Sequence, residues 1–184
     1  ELGLEFAHPS PPLSRARVAG GERRRRGSEF EALFRVGVAT VLGALLGLER
    51  EMTGKPAGLR THMLVAEGAA LFMVVSILLT EQFGVLDAAN VRVDVTRIGS
   101  TIVTGVGFLG AGMILQSRDR VYGLTTAAGI WVAAAIGTVA GSGYYVVSVF
   151  GTVLGLLTLV ALRVVERRLG PEESTHSLED MEDD

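Results

Sequence analysis

The chain contains no cysteine, and this absence excludes several kinds of chemistry at once. Without thiols there can be no disulfide, no thiolate nucleophile and no cysteine-ligated zinc. Only three histidines are present, scattered along the sequence, and no two carboxylates have the spacing of a hydrolytic pair. The sequence therefore predicts no catalytic residues, no metal site and no cofactor, and it disfavours an enzyme.

Ionisable residues are also missing from one very long stretch. Residues 121–162 run for 42 positions without an Asp, Glu, Lys, Arg or His. A single helix needs only about 20 residues to cross a bilayer. Gly141, Ser142 and Gly143 interrupt the stretch near its middle and favour a tight turn. The stretch therefore predicts two membrane-spanning helices joined by a minimal loop.

The composition of the whole chain supports a membrane protein. Of its 184 residues 48% are hydrophobic, the mean hydropathy is +0.40, and the apolar blocks exceed the 10–14 residues of a soluble core helix. The 24 glycines lie mostly inside these blocks, as in closely packed membrane helices. We predict an all-α, polytopic bundle of about five transmembrane helices. The predicted spans are about 30–48, 61–80, 98–117, 121–140 and 144–162.

The two ends differ from this membrane domain, which is predicted to cover residues 30–165. Residues 1–29 contain three prolines and four consecutive arginines, and are predicted to form a basic, disordered extension. Residues 166–184 are predicted to be an acidic, disordered tail. Beyond residue 29, eight basic residues flank one side of the bundle and two flank the other. The positive-inside rule then predicts a cytoplasmic C-terminus, although counting the extension makes the two sides equal.

Glycines at helical spacing predict where the helices pack closely. We expect these positions to join helices within one bundle, and a homo-oligomer is the alternative. The GxGxxG pattern that starts at Gly105 lies in an apolar span without a following acidic residue, so it does not predict a nucleotide site. The predicted packing residues are Gly43, Gly47, Gly105, Gly107, Gly110, Gly112, Gly129, Gly137 and Gly141.

Charged residues inside spans are costly and are candidates for function. Glu67 is either a buried partner for Arg35 or another cation, or an ion or proton site facing a cavity, and Arg35 can also extend its charge to the interface. The polar loop at 49–62 holds Gly54, Pro56 and Gly58, which suggest a shaped turn, although solvated anchors are the simpler interpretation. The candidate site residues are Glu49, Arg50, Arg60, His62, Glu67, Asp94, Arg97, Thr125 and Thr126.

Four blocks of sequence together resemble the MgtC/SapB family. They are GLERE at 47–51, AGLRTHMLV at 57–65, GVGFLGAG at 105–112 and GLTTAAGIW at 123–131. The resemblance implies a multi-pass protein of the bacterial inner membrane that is linked to growth in low magnesium. It also implies a short member without the C-terminal ACT-type domain of many relatives. Glu67 and Thr101 depart from the apolar residue and the glutamine that the family leads us to expect.

We therefore expect a protein of magnesium homeostasis that modulates a membrane partner. The family resemblance suggests the ATP synthase or a transporter as that partner, and we expect contact with the lipid bilayer and none with nucleic acid. The alternative is a small ion transporter or channel with a polar path through the glycine-rich bundle.

Overall fold

The described part of the chain is a bundle of five helices with one small hairpin. The computed structural model describes residues 15–84, 95–117 and 120–169. The all-α class predicted from hydropathy is confirmed. The elements are α1 (Arg15–Met52), α2 (Leu59–Gly84), α3 (Val95–Gly112), β1 (Leu115–Ser117), β2 (Arg120–Tyr122), α4 (Leu124–Gly141) and α5 (Tyr145–Leu169).

Within these described ranges, four helical segments are long and apolar enough to cross a bilayer. They lie in α1, α2, α4 and α5, while the 18-residue α3 falls outside this set. Large apolar side chains on the outer surface are widely exposed, such as Phe108 at 82% and Val146 at 84%. Such exposure suits a lipid environment and would be unfavourable in water. The chain is a multi-pass membrane protein.

The ends of the bundle differ from the sequence-based prediction. Residues 15–29 belong to α1, so the prediction of a disordered extension is wrong for this part. Its composition explains the helix, because residues 15–29 contain no proline and arginine, alanine and glutamate have good helix propensity. At the other end α5 continues to Leu169, beyond the predicted end of the span, so the prediction of a disordered tail is wrong for residues 166–169. Residues 1–14 and 170–184 lie outside the described residues.

The third predicted span is partly wrong, because its helix ends at Gly112 rather than near residue 117. Residues 115–117 instead pair with 120–122 in an antiparallel hairpin, in which Leu115 lies opposite Tyr122. Glycine has poor helix propensity and is frequent near the end of α3, so the helix stops there. Gly123 then adopts a left-handed conformation with φ of 88°, and α4 begins at Leu124.

Small residues let α1, α2 and α4 pack with close backbones. A Cβ added at Gly43 would lie 2.7 Å from the His62 carbonyl oxygen, and one at Gly47 would lie 2.7 Å from Leu59 Cα. On α4, Gly137 lies directly against the backbone of Ala66. Close approach of this kind provides the van der Waals attraction that holds membrane helices together. The core between these helices includes Leu42, Leu46, Ala69, Ala70, Ile130, Ala133, Ala134, Ile136 and Ala140.

The sequence predicts that the glycines of α3 also join two helices closely, and the structure differs from this prediction. A Cβ added at Gly110 would lie 3.6 Å from Ala127 Cβ, an ordinary contact. At Gly105, Gly107 and Gly112 an added Cβ would meet no atom of the described chain within 4 Å. These three glycines therefore face open space within the described structure and do not join two helices there. The cause is that α3 turns Val106 and Ile102, which lie on its other side, toward α2 and α4.

Candidate functional site

Several segments that are distant in sequence meet at one end of the bundle. We call this region the polar end, and it consists of residues 49–62, 113–117, 120–126 and 159–163. The structure thereby brings the end of α1, the following loop, the hairpin and the start of α4 next to the last part of α5. Three of the four sequence blocks that resemble the MgtC/SapB family overlap this end, and the block at 105–112 ends just before it.

Arg50 is the buried centre of the polar end, with only 5% of its surface exposed. Its Nη2 donates a hydrogen bond to Thr126 Oγ1 over 3.3 Å. Its Nε is buried and has no hydrogen-bond acceptor among the described residues. A buried charge normally carries a full set of partners, because desolvation is costly. Arg50 therefore retains one donor that can serve a further group.

Glu49 forms an ion pair with Arg163, which lies on α5. The carboxylate oxygen Oε1 accepts from Nη2, and the side chains are 9% and 29% exposed, respectively. The second carboxylate oxygen, Oε2, is buried without a hydrogen-bond donor in the part of the chain described. The pair anchors the loosely packed α5 to the end of α1.

The loop between α1 and α2 has a defined shape. Gly54 and Ala57 both have positive φ, of 63° and 56°, and Ala57 is an uncommon residue in that conformation. Glu51 Oε2 accepts the backbone N–H of Leu59 over 3.0 Å and so caps the start of α2. Gly58 lies against the same carboxylate, where a Cβ would collide with it.

This loop directs His62 into the bundle and leaves Arg60 outside. His62 is fully buried, and its Nδ1 contacts the carbonyl oxygen of Gly58 at 3.0 Å. Its Nε2 has no partner within the described structure and faces α4, where a Cβ added at Gly129 would lie 3.2 Å away. Arg60 is exposed. Gly129 thus makes room for the imidazole ring, which is a role that differs from helix packing alone.

The expected pairing of Arg35 with Glu67 is wrong. Arg35 Nε donates to Glu31 Oε1 over 3.1 Å, and its Nη1 donates to the carbonyl oxygen of Gly141 over 3.3 Å. The hydroxyl of Tyr145 donates to the same Glu31 oxygen over 2.6 Å. Glu67 is half-buried on α2 and has no hydrogen bond or ion pair with any described residue. These contacts of Arg35 and Glu31 lie at the end of the bundle opposite the polar end.

The remaining candidates do not join the polar end as a group. Asp94 lies outside the described residues. Arg97 is exposed near the start of α3, and its carbonyl oxygen accepts from the hydroxyls of Ser100 and Thr101. Thr125 is exposed in the first turn of α4 beside the buried Thr126. Among the residues that the structure describes, no three His, Asp or Glu side chains come together as a metal site.

Two adjacent cavities open at and beside the polar end. The first, of about 950 Å³, is lined by three cationic side chains, those of Arg50, Lys55 and Arg163, and by Thr125 and Thr126 at the start of α4. The second, of about 710 Å³, is an apolar groove between α4 and α5 that reaches His62. Leu124, Thr125 and Leu159 line both cavities, so the two adjoin each other.

Comparison with known proteins decides the family. The family profile described as "MgtC family" matches residues 36–168. The chain belongs to the MgtC family. Its MgtC relatives include the Escherichia coli (strain K12) protein named "Putative magnesium transporter YhiD", which is 46% identical over 142 residues, 76% of this chain and 64% of that protein. Protein SapB of Bacillus subtilis is 37% identical over 143 residues, with 77% and 61% covered.

Protein MgtC of Salmonella typhimurium (strain LT2) is 37% identical over 140 residues, 76% of this chain and 56% of that protein. The chain thus spans about three fifths of the length of these three MgtC relatives. No solved structure matches the chain.

Sequence reasoning did not identify several residues of this MgtC fold that the structure brings into contact. Arg163 and Lys55 were expected only as flanking charges, yet both line the cationic cavity. Arg163 meets Glu49 across 114 positions, and no local pattern indicates such a contact. Glu31 and Arg35 were identifiable, because their i, i+4 spacing places them together on one helix face.

Proposed function

We propose that this MgtC family member acts in magnesium-linked homeostasis in the bacterial inner membrane by modulating a membrane partner. The family membership and the magnesium-related name of the Escherichia coli relative support the link to magnesium. Because the chain covers only part of its relatives, this activity is proposed for the membrane domain alone.

The charge of the polar end is the observation that carries the proposal. The cavity there is lined by Arg50, Lys55 and Arg163, and the contacting Glu49 balances only one of these positive charges. Magnesium is bound through oxygen ligands, often carboxylates, and a surplus of positive charge repels it. Such an end is better suited to acidic groups of another molecule than to a magnesium ion. A modulatory contact therefore fits it better than a magnesium-binding step.

We further propose that the polar end lies on the cytoplasmic side, which also makes the C-terminal end of α5 cytoplasmic. Arg50, Lys55, Arg60, Arg120 and Arg163 all belong to this end, and the positive-inside rule favours it as the cytoplasmic end when the arginines of residues 15–26 at the other end of α1 are left out of the count. The proposed partner is a larger membrane complex, such as the ATP synthase or a transporter, that presents acidic groups there.

Growth in low magnesium tests this proposal. A bacterial strain without its own family member would be complemented with the wild type, with Arg50→Gln and with Arg97→Gln. Arg97 is the matched control, because it is an exposed arginine at the opposite end of the bundle. We expect rescue by the wild type and by Arg97→Gln but not by Arg50→Gln, at equal amounts in the membrane. Full rescue by Arg50→Gln would contradict the proposal.

Ion transport is the second candidate function, and Glu67 favours it. This carboxylate is half-buried within a membrane-spanning helix and makes no ion pair with the described residues. Intramembrane acidic residues often mark ion paths. If purified protein carried an ion across liposomes, Glu67→Gln should slow the flux strongly. Unchanged flux in that variant would exclude Glu67 from the path.

A further inference from the structure

We propose that the polar end and the adjoining groove together bind one anionic phospholipid. The phosphate would lie in the cationic cavity, and an acyl chain would lie in the apolar groove between α4 and α5. This inference stands on the two cavities and their lining, independently of the proposed role in magnesium homeostasis.

The cationic cavity provides donors for a phosphate group. Arg50 is 95% buried, lines this cavity, and has an Nε without an acceptor in the described chain. Lys55 and Arg163 line the same space, together with the hydroxyl-bearing Thr125 and Thr126. Arginine and lysine are the common partners of phosphate oxygens, and arginine presents several donors in a fixed geometry. A phosphate in this cavity would provide acceptors for the arginine, lysine and threonine donors that line it.

The start of α4 adds a second source of positive potential. The first N–H groups of a helix have no acceptor within the helix, and the helix dipole makes this end positive. No side chain caps α4 at Gly123, and the residues of its first turn line the cavity. Helix starts of this kind bind phosphate in many proteins. Here the helix end and a buried arginine converge on one cavity.

The groove provides a place for an acyl chain. It follows α4 from Leu124 to Val139, a length of about 22 Å at 1.5 Å per residue. One leaflet of a bilayer is about 15 Å thick in its hydrocarbon part, so a chain that starts at the cavity fits within the groove. Small residues keep the groove open, namely Ala128, Ala135, Gly151 and Gly155.

The charges favour a lipid over a second copy of the protein as the occupant. A symmetric contact through this face would place two copies of the same cationic cavity near each other, which is unfavourable. Free phosphate would fill the polar cavity but leave the groove empty. An anionic phospholipid matches both parts, and it is abundant at the membrane face where basic residues collect.

Native mass spectrometry of the detergent-purified protein tests this site. The probes are dioleoyl phosphatidylglycerol, dioleoyl phosphatidylcholine with identical chains, and inorganic phosphate. We expect phosphatidylglycerol to bind at least about tenfold more tightly than either other probe, with one molecule per chain. Equal binding of the two lipids would overturn the proposal, as would phosphate binding as tight as that of phosphatidylglycerol. A lipid-free dimer that excludes the lipid would overturn it too.

Variants with matched controls locate the binding. Lys55→Gln changes an exposed residue that does not threaten the fold, and it should weaken phosphatidylglycerol binding about fivefold. Arg50→Gln should weaken it about tenfold or more. Ala128→Leu should weaken it about tenfold by filling the groove. The controls Arg97→Gln and Ala111→Leu lie outside the polar end and both cavities and should bind like the wild type. Equal losses in the controls would contradict the site.

Discussion

Arg50 Nη2 donates a hydrogen bond to Thr126 Oγ1 across 3.3 Å and thereby joins the last turn of α1 to the first turn of α4. The two residues are 76 positions apart, and both are buried at the polar end. Because a buried guanidinium loses much of its hydration, the threonine hydroxyl provides part of the replacement. The contact therefore couples the position of α4 to the charge on α1.

Removing this hydroxyl should destabilise the protein. In Thr126→Val the side-chain volume is retained but the acceptor for Arg50 is lost. We expect the free energy of unfolding in detergent to fall by about 1–3 kcal/mol, the usual cost of a buried charged donor without its partner. Thermal unfolding followed by circular dichroism measures the change. Thr126→Ser keeps the hydroxyl and should lose clearly less stability, and an equal loss in both variants would show that the hydrogen bond is unimportant.

The packing of α4 on α2 depends on the absence of a side chain at Gly137. A Cβ there would collide with the backbone of Ala66, which cannot move as a flexible side chain can. We expect Gly137→Ala to lower the free energy of unfolding by about 1–3 kcal/mol through overpacking. In Gly105→Ala the new Cβ meets no described atom within 4 Å, so this variant should be neutral or slightly stabilised. A tolerated Gly137→Ala would contradict the close approach of the helices.

The ion pair between Glu49 and Arg163 should be measurable as a coupling energy. A double-mutant cycle with Glu49→Ala and Arg163→Ala compares the two single variants with the double variant. We expect a coupling of about 1–3 kcal/mol, because the carboxylate is only 9% exposed and lies in direct contact with the guanidinium. The control cycle combines Glu49→Ala with Arg60→Ala, a change at an exposed arginine. It should give a coupling near zero. Additive effects in the first cycle would exclude a stabilising pair.

The hydropathy of the sequence was sufficient to predict the helical class, although only four of the five predicted spans are helices long and apolar enough to cross a bilayer in the described structure. A long apolar stretch in a membrane can satisfy the hydrogen-bonding groups of its backbone within the segment only as a helix, so the length of the stretch indicates a membrane-spanning helix. The end of α3 was not predictable in this way. Residues 113–117 are uncharged like the helix before them, so hydropathy does not separate the two. Residues 115–117 form a strand because they pair with 120–122, and the sequence of one strand alone does not show its partner. The helical start of α1 was missed because its many charges suggested disorder.

The candidate site was predictable only as a set of residue types. The sequence indicated that Arg50, His62 and Thr126 carry polar chemistry in an apolar setting, but not that Arg50 and Thr126 touch. The loop glycines suggested a turn toward the bundle, and the structure directs His62 there while Arg60 stays exposed. Contacts such as that of Glu49 with Arg163 arise from the packing of α5, which the local sequence does not encode.

Magnesium flux into proteoliposomes tests the central proposal most directly. The purified chain, without any partner, would be reconstituted into liposomes that contain a magnesium-sensitive dye, and an ionophore added at the end would verify that the liposomes were sealed. If the chain modulates a partner, the signal before the ionophore should equal that of protein-free liposomes. Saturable magnesium uptake that increases with the amount of protein would contradict this function and favour transport.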